Sequence, residues 1–137
     1  MPHYLDISAL TKVIANLDEG FERYQSLPKD LQLKDGLILR LKAAFELCYE
    51  MIKRYLKIDL SSTAKNRVMA FDEVIDHANQ QGLIIGCTQD WLVYREMYFN
   101  AKHAYEPAAA NRALRVVPKF LIEAFALLRS LSLHPRD

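Results

Sequence analysis

The chain has 137 residues, of which 51% are hydrophobic and 26% charged, with a formal net charge of +1. That length and balance fit one globular domain over residues 1–137, and they exclude a global field drawing the chain to nucleic acid or to a membrane, though not a local basic patch at a dimer cleft. No apolar run approaches the roughly 20 residues of a membrane span. The opening MPHYLDISAL has an early acidic residue and no basic region followed by an apolar one, so a cytoplasmic protein without a signal peptide is expected. Cys48 and Cys87 lack metal-ligand spacing and further cysteine partners. One is expected buried in a helix and the other in a turn, both reduced.

Helical periodicity dominates the chain from its start. Leu10, Val13, Ile14, Leu17, Phe21 and Tyr24 recur at three- and four-residue steps, with Asp6 or Ser8 available to accept the free amides at the helix start. Gly20 interrupts this helix at a cost of about 1 kcal/mol relative to alanine, and Leu27-Pro28-Lys29-Asp30 ends it. Asp35 is the expected cap of a second helix, with Gly36 in its first turn. Ile38, Leu41, Phe45, Cys48, Ile52 and Tyr55 then form a bundle seam running to about Leu56.

The polar stretch from Ile58 to Asn66 reads as a loop in which Ser61, Ser62 and Thr63 offer caps. A shorter third helix carries Val68, Phe71, Val74, Ile75 and Ala78, and Gly82 follows where a left-handed cap is wanted. Leu83-Ile84-Ile85 is expected to tuck a connection into the core. Thr88 or Asp90 caps a fourth helix expected to run from Trp91 to about Tyr105, where Glu106-Pro107 breaks it. The last segment is helical in propensity from Ala108, and Pro118 predicts a kink or break inside it. Leu121, Ala124, Phe125, Leu128 and Leu131 form its expected core face. These elements amount to an all-α, antiparallel, up-and-down bundle of four or five helices.

No nucleotide-binding glycine loop, zinc-protease helix motif or nucleophile elbow is present, and no cofactor or metal is expected. His3 and His134 lie near the termini, and His77 stands beside Asp76 in the third helix. His103 differs in its neighbours. Arg95, Phe99 and His103 share one helical row, Tyr98 and Lys102 form the adjacent row, and Tyr105 follows at the helix end. An imidazole with an ordinary pKa near 6.5 can move a proton at neutral pH. Beside a guanidinium or ammonium it can bind a phosphate or activate a ribose 2′-hydroxyl, the minimum equipment for RNA cleavage without a metal.

Three stretches carry a family resemblance. DGLILRLKAAFELCYEMIKRYLK, from Asp35 to Lys57, resembles the second helix of nucleotidyltransferase substrate-binding-like proteins, members of the HEPN group of helical domains. WLVYREMYFNAKHAY, from Trp91 to Tyr105, is similar to that family's fourth helix with its terminal His-x-Tyr. LDISALTKVIANLDEGFERY resembles its first. The resemblance implies a bundle that dimerises through its fourth helices, is encoded beside a minimal nucleotidyltransferase, and in many members serves as the ribonuclease toxin of a toxin–antitoxin pair. The motif so implied is an arginine, four to six residues, then a histidine and often x-Tyr. Arginine and histidine serve cleavage, and the tyrosine receives AMP from the partner.

By that resemblance the histidine is His103 and the modified tyrosine Tyr105. The arginine does not transfer in register. The four-residue spacing falls on Tyr98, while seven residues separate Arg95 from His103, leaving their side chains about 80° apart around an ideal helix. Lys102 points about 100° from His103, and Asn100 can supply a neutral hydrogen bond. The candidate set is therefore His103 and Arg95 for catalysis, Arg95, Lys102 and Asn100 for phosphate, and Tyr105 for modification, with cleavage weakened or lost. RNA or ATP is the implied ligand. Two other readings remain open: a non-catalytic helical interaction module, and a protein that binds nucleotide without turning it over.

Overall fold

The apolar steps of the first segment place Leu10, Ile14 and Leu17 on one buried stripe of helix α1, Ser8–Ser26. Asp6 Oδ1 accepts the Ser8 N–H at 2.9 Å, so Asp6 caps this start. A single-turn reversal at Leu27–Asp30 leads into helix α2, Leu31–Tyr55. These elements belong to a computed structural model describing residues 5–56 and 69–133.

Asp30, not Asp35, caps α2. Its Oδ1 accepts the N–H groups of Gln32 at 2.9 Å and Leu33 at 3.1 Å, and its extended backbone is the conformation an N-cap needs. The helix thus starts five residues earlier than the expected Asp35 cap implies. The first turn is largely solvated, Leu31 being 70% exposed, so burial leaves no trace of it in the sequence.

Helix α3, Phe71–Gln80, buries Val74, Ile75 and Ala78. Gly82 follows at φ 72° and ends it in the left-handed conformation. Leu83 and Ile84 enter the core as expected, while Ile85 is exposed. Helix α4, Thr88–Lys102, has Cys87 as its N-cap residue, and Asp90 Oδ2 accepts the Cys87 N–H at 3.0 Å. The Thr88 hydroxyl instead donates to Asp76 of α3.

Helix α5, Pro107–Leu133, is continuous through Pro118, so of the expected kink or break the break does not occur. Pro118 lies on the exposed side, while Val117, Phe120 and Leu121 beside it are buried. Packing on the inner side thus holds the helix through a residue that removes one backbone hydrogen bond. Phe125 is a second correction: it is 43% exposed, one step around the helix from the stripe of Leu121, Ala124, Leu127 and Leu131. The loop expected over Ile58 to Asn66 with its caps, and Val68, His3 and His134, lie outside the described residues.

Side-chain pairs fix the helix directions. Arg40 Nη1 donates to the Asn16 carbonyl at 2.8 Å, and these residues are nearly equidistant from the Leu27–Asp30 turn, so α1 and α2 run antiparallel. Lys119 with Asp90 is likewise equidistant from the α4–α5 turn, and Arg112 pairs with Asn100 across it. Lys34 with Asn111, and Phe45 with Phe120, advance together, making α2 and α5 parallel. The four long helices therefore alternate up and down, with α3 lying against α4 and α2. The bundle is all-α, and the described residues contain no strand.

At the centre Trp91, Tyr94 and Phe120 meet edge-to-face, and Phe45 packs on Trp91 and Phe120. Such aromatic contacts add to the stabilisation from area burial. Gly20 is buried where a Cβ would stand 3.2 Å from Arg40 Cδ, so the residue that weakens α1 also lets the Arg40 side chain cross it. Cys48 is buried and Cys87 exposed, both free thiols. No helix among the described residues is long and apolar enough to cross a membrane.

Candidate functional site at the end of α4

Helix α4 ends at Lys102, and His103 is its C-cap residue, with φ −113° and ψ 28°. The fourth helix thus ends about three residues earlier than predicted, and His103 and Tyr105 stand on the turn that follows. Pro107 is the first residue of α5, a position where its fixed φ and missing N–H are tolerated. The chain must therefore reverse within residues 103–106, and the helix cannot continue to Tyr105. Backbone bonds hold the reversal: His103 N–H to Asn100 O at 3.1 Å, Ala104 N–H to Ala101 O at 3.3 Å, and Glu106 N–H to His103 O at 3.0 Å.

Tyr105 is 78% exposed. Its ring meets that of His103 edge-on with centroids 6.1 Å apart, so the phenol is presented to solvent beside an exposed imidazole. One turn back, Phe99 is 45% exposed and adds apolar surface to the same end of α4.

The two cations of the sequence-derived set are engaged elsewhere. The Arg95 guanidinium lies over the Phe71 ring of α3 at 4.7 Å and over Phe99 at 6.0 Å. Cation–π stacking holds it on the α3 side of the bundle, and among the described residues no hydrogen bond or ion pair joins it to His103. The Lys102 ammonium lies over Tyr98 and Phe99, 5.4 and 5.9 Å from their centroids. Tyr98, which occupies the register of the expected arginine, donates its phenol to Glu46 of α2. That bond, then burial, pushes its pKa up to about 12, so Tyr98 stays neutral and ties α4 to α2.

Asn100 is half-buried, and its Oδ1 accepts from Arg112 Nε of α5 at 3.3 Å. Arg112 is a residue that the sequence reading does not single out. The available signal is geometric: two antiparallel helices joined by a short turn bring positions on either side of it together, and 100 and 112 are such a pair. Next to it, Asn111 Oδ1 accepts from Lys34 Nζ of α2 at 2.8 Å. His77 is half-buried on α3, and no group of three or more metal-ligating side chains occurs among the described residues.

At the opposite end of α4, Glu123 of α5 is 1% exposed, and its Oε2 accepts the Ile85 N–H at 2.9 Å. Burial raises its pKa, opposed by hydrogen bonds from the Ile85 and Gly86 amides. A Cβ on Gly86 would overlap this carboxylate, so glycine is required for the close approach. The clasp fixes the connection from which α4 departs.

Comparison with known proteins agrees with this architecture. A probable ribonuclease HepT from Haemophilus influenzae is 30% identical over 111 residues, covering 81% of this chain and 75% of that protein. A solved Haemophilus influenzae structure, described as the fold of a substrate-binding domain of a nucleotidyltransferase, matches with a TM-score of 0.79 at 24% identity. The match covers 93% of this chain and 99% of that one, and the two share a fold. Residues 5–133 match the family described as nucleotidyltransferase substrate binding protein like, and the chain belongs to that family.

Proposed function

We propose that this protein is the cytoplasmic partner of a minimal nucleotidyltransferase within a toxin–antitoxin pair, and that Tyr105 is the group its partner modifies with AMP. The observation that carries the reading is the exposed Tyr105 phenol beside His103 on the turn after α4. In the step envisaged, the phenolic oxygen attacks the α-phosphorus of ATP, the bond to the β-phosphate oxygen breaks, and pyrophosphate leaves. The phenolic proton passes to a base, the role assigned to His103. A half-exposed Phe99 on the outer side of α4 supports pairing of two copies through their fourth helices, with two His103 side chains at one cleft.

Metal-independent RNA cleavage is weak or lost in this reading. Arg95 is stacked on Phe71 rather than joined to His103, so the arginine on its own helix is not in place to stabilise a phosphorane. The test is co-expression with the minimal nucleotidyltransferase expected beside the gene, followed by affinity capture and peptide mass spectrometry. Co-purification with AMP on Tyr105 supports the reading. A protein that neither captures the enzyme nor carries AMP contradicts it and favours a non-catalytic interaction module. Robust RNA cleavage abolished equally by His103→Ala and Arg95→Ala would contradict the weakened site.

A further inference from the structure

Four cations on the described surface pair with carboxylates: Arg40 with Glu19, Lys53 and Arg54 with Glu50, and Lys119 with Asp90. Near the turn between α4 and α5, two cations have neutral amide partners instead. Arg112 is tethered by the neutral amide of Asn100, and Lys34 by the neutral amide of the adjacent Asn111. Neither has a carboxylate partner among the described residues. A neutral acceptor orients a cation without cancelling its charge, so the corner keeps positive charge available for an anion.

The geometry suits phosphate. Arg112 uses Nε for Asn100, leaving its two terminal amino groups as a planar pair of donors, the edge that engages phosphate oxygens two at a time. Asn100 also accepts the His103 N–H through its backbone carbonyl at 3.1 Å. One residue therefore anchors both the backbone of His103 and the guanidinium of Arg112. Fixing the guanidinium in advance reduces the side-chain entropy lost when an anion binds. Arg95 lies over Phe71 on the α3 side of the bundle.

We infer that Arg112, oriented by Asn100, is the phosphate-binding guanidinium of the His103 corner, taking a phosphate ester from an RNA strand or from a nucleotide. The inference rests on the reading that His103 and Tyr105 form the functional site, and it replaces Arg95 as the cation of that site. Binding is measured on the full chain by fluorescence anisotropy with a fluorescein-labelled single-stranded oligouridylate and by calorimetry with ATP. Arg112 is exposed, so Arg112→Ala is expected to fold, which a thermal melt checks.

The expected result is that Arg112→Ala weakens binding of at least one probe about ten- to a hundred-fold, as for a lost hydrogen-bonded charge. On RNA it also flattens the slope of log affinity against log salt by about 0.7. Arg112→Lys restores part of the affinity, and Asn100→Asp weakens it by placing a competing carboxylate against the guanidinium. Loss confined to RNA assigns the site to a strand, and loss confined to ATP assigns it to a nucleotide. Unchanged affinity for both probes in Arg112→Ala, or no binding of either by the unsubstituted protein, overturns the inference. The mass-spectrometric test on Tyr105 is independent: AMP found there with Arg112→Ala silent removes only this inference, whereas Arg112→Ala defective without AMP removes only the partner reading.

Discussion

Replacing Glu123 tests how the start of α4 is held. The side chain is 1% exposed and serves as acceptor for the backbone amides of Ile85 and Gly86. Glu123→Leu preserves the apolar stem and leaves both donors without their acceptor. An unmet buried donor costs about 1–3 kcal/mol, and release of the desolvated carboxyl returns part of that sum. The net expectation is a loss of about 2–4 kcal/mol, or roughly 6–15 °C in melting temperature for a domain of this size. Glu123→Gln keeps one acceptor oxygen but turns an amide N–H₂ toward the second donor, and should lose about half as much. Urea unfolding followed by circular dichroism gives the order: wild type most stable, then Gln, then Leu. A Leu variant as stable as wild type would refute the reasoning, because the desolvation cost of the carboxyl would then outweigh the two hydrogen bonds.

The remaining predictions concern pH, a cap and a turn. Burial raises the Glu123 pKa above its ordinary value of 4.5, so the folded state holds this proton more tightly than the unfolded state. Its stabilising contribution is complete below the ordinary value and is lost as pH rises through the raised one. Urea midpoints measured across the weakly acidic range should carry that falling component in wild type and lack it in Glu123→Gln. Asp30→Ala removes the acceptor for the Gln32 and Leu33 amides and should cost about 1 kcal/mol, whereas Asp35→Ala should cost much less. Gly82→Ala places a Cβ on a backbone at φ 72° and should cost about 1–2 kcal/mol, read from the same unfolding curves.

How much was legible in the sequence depended on whether one helix face carried the information. The seam of Ile38, Leu41, Phe45, Cys48 and Ile52 is buried along its length, and its spacing alone predicts the core side of α2. The solvated first turn of α2 was not legible, because Leu31 is exposed and Asp30 reads equally well as the end of one helix or the start of the next. Pro118 predicts a kink or a break, and the helix continues through it with Val117 and Phe120 buried on the inner side, a tertiary effect that local propensity does not contain. The motif singles out His103 and Tyr105 as candidates but not their setting on a turn, which follows from Pro107 opening α5. Arg112, which bonds Asn100 from the next helix, is not singled out because no spacing rule along α4 reaches it.

The central claim is that Tyr105 is a modification site recognised by a nucleotidyltransferase. The direct measurement is peptide-mapped mass spectrometry of the protein co-expressed with that enzyme, run beside Tyr105→Phe and His103→Ala. AMP on Tyr105, absent from Tyr105→Phe and reduced in His103→Ala, is the result the account predicts. An unmodified Tyr105 in a protein that captures the active enzyme, or AMP carried on another residue, would contradict it.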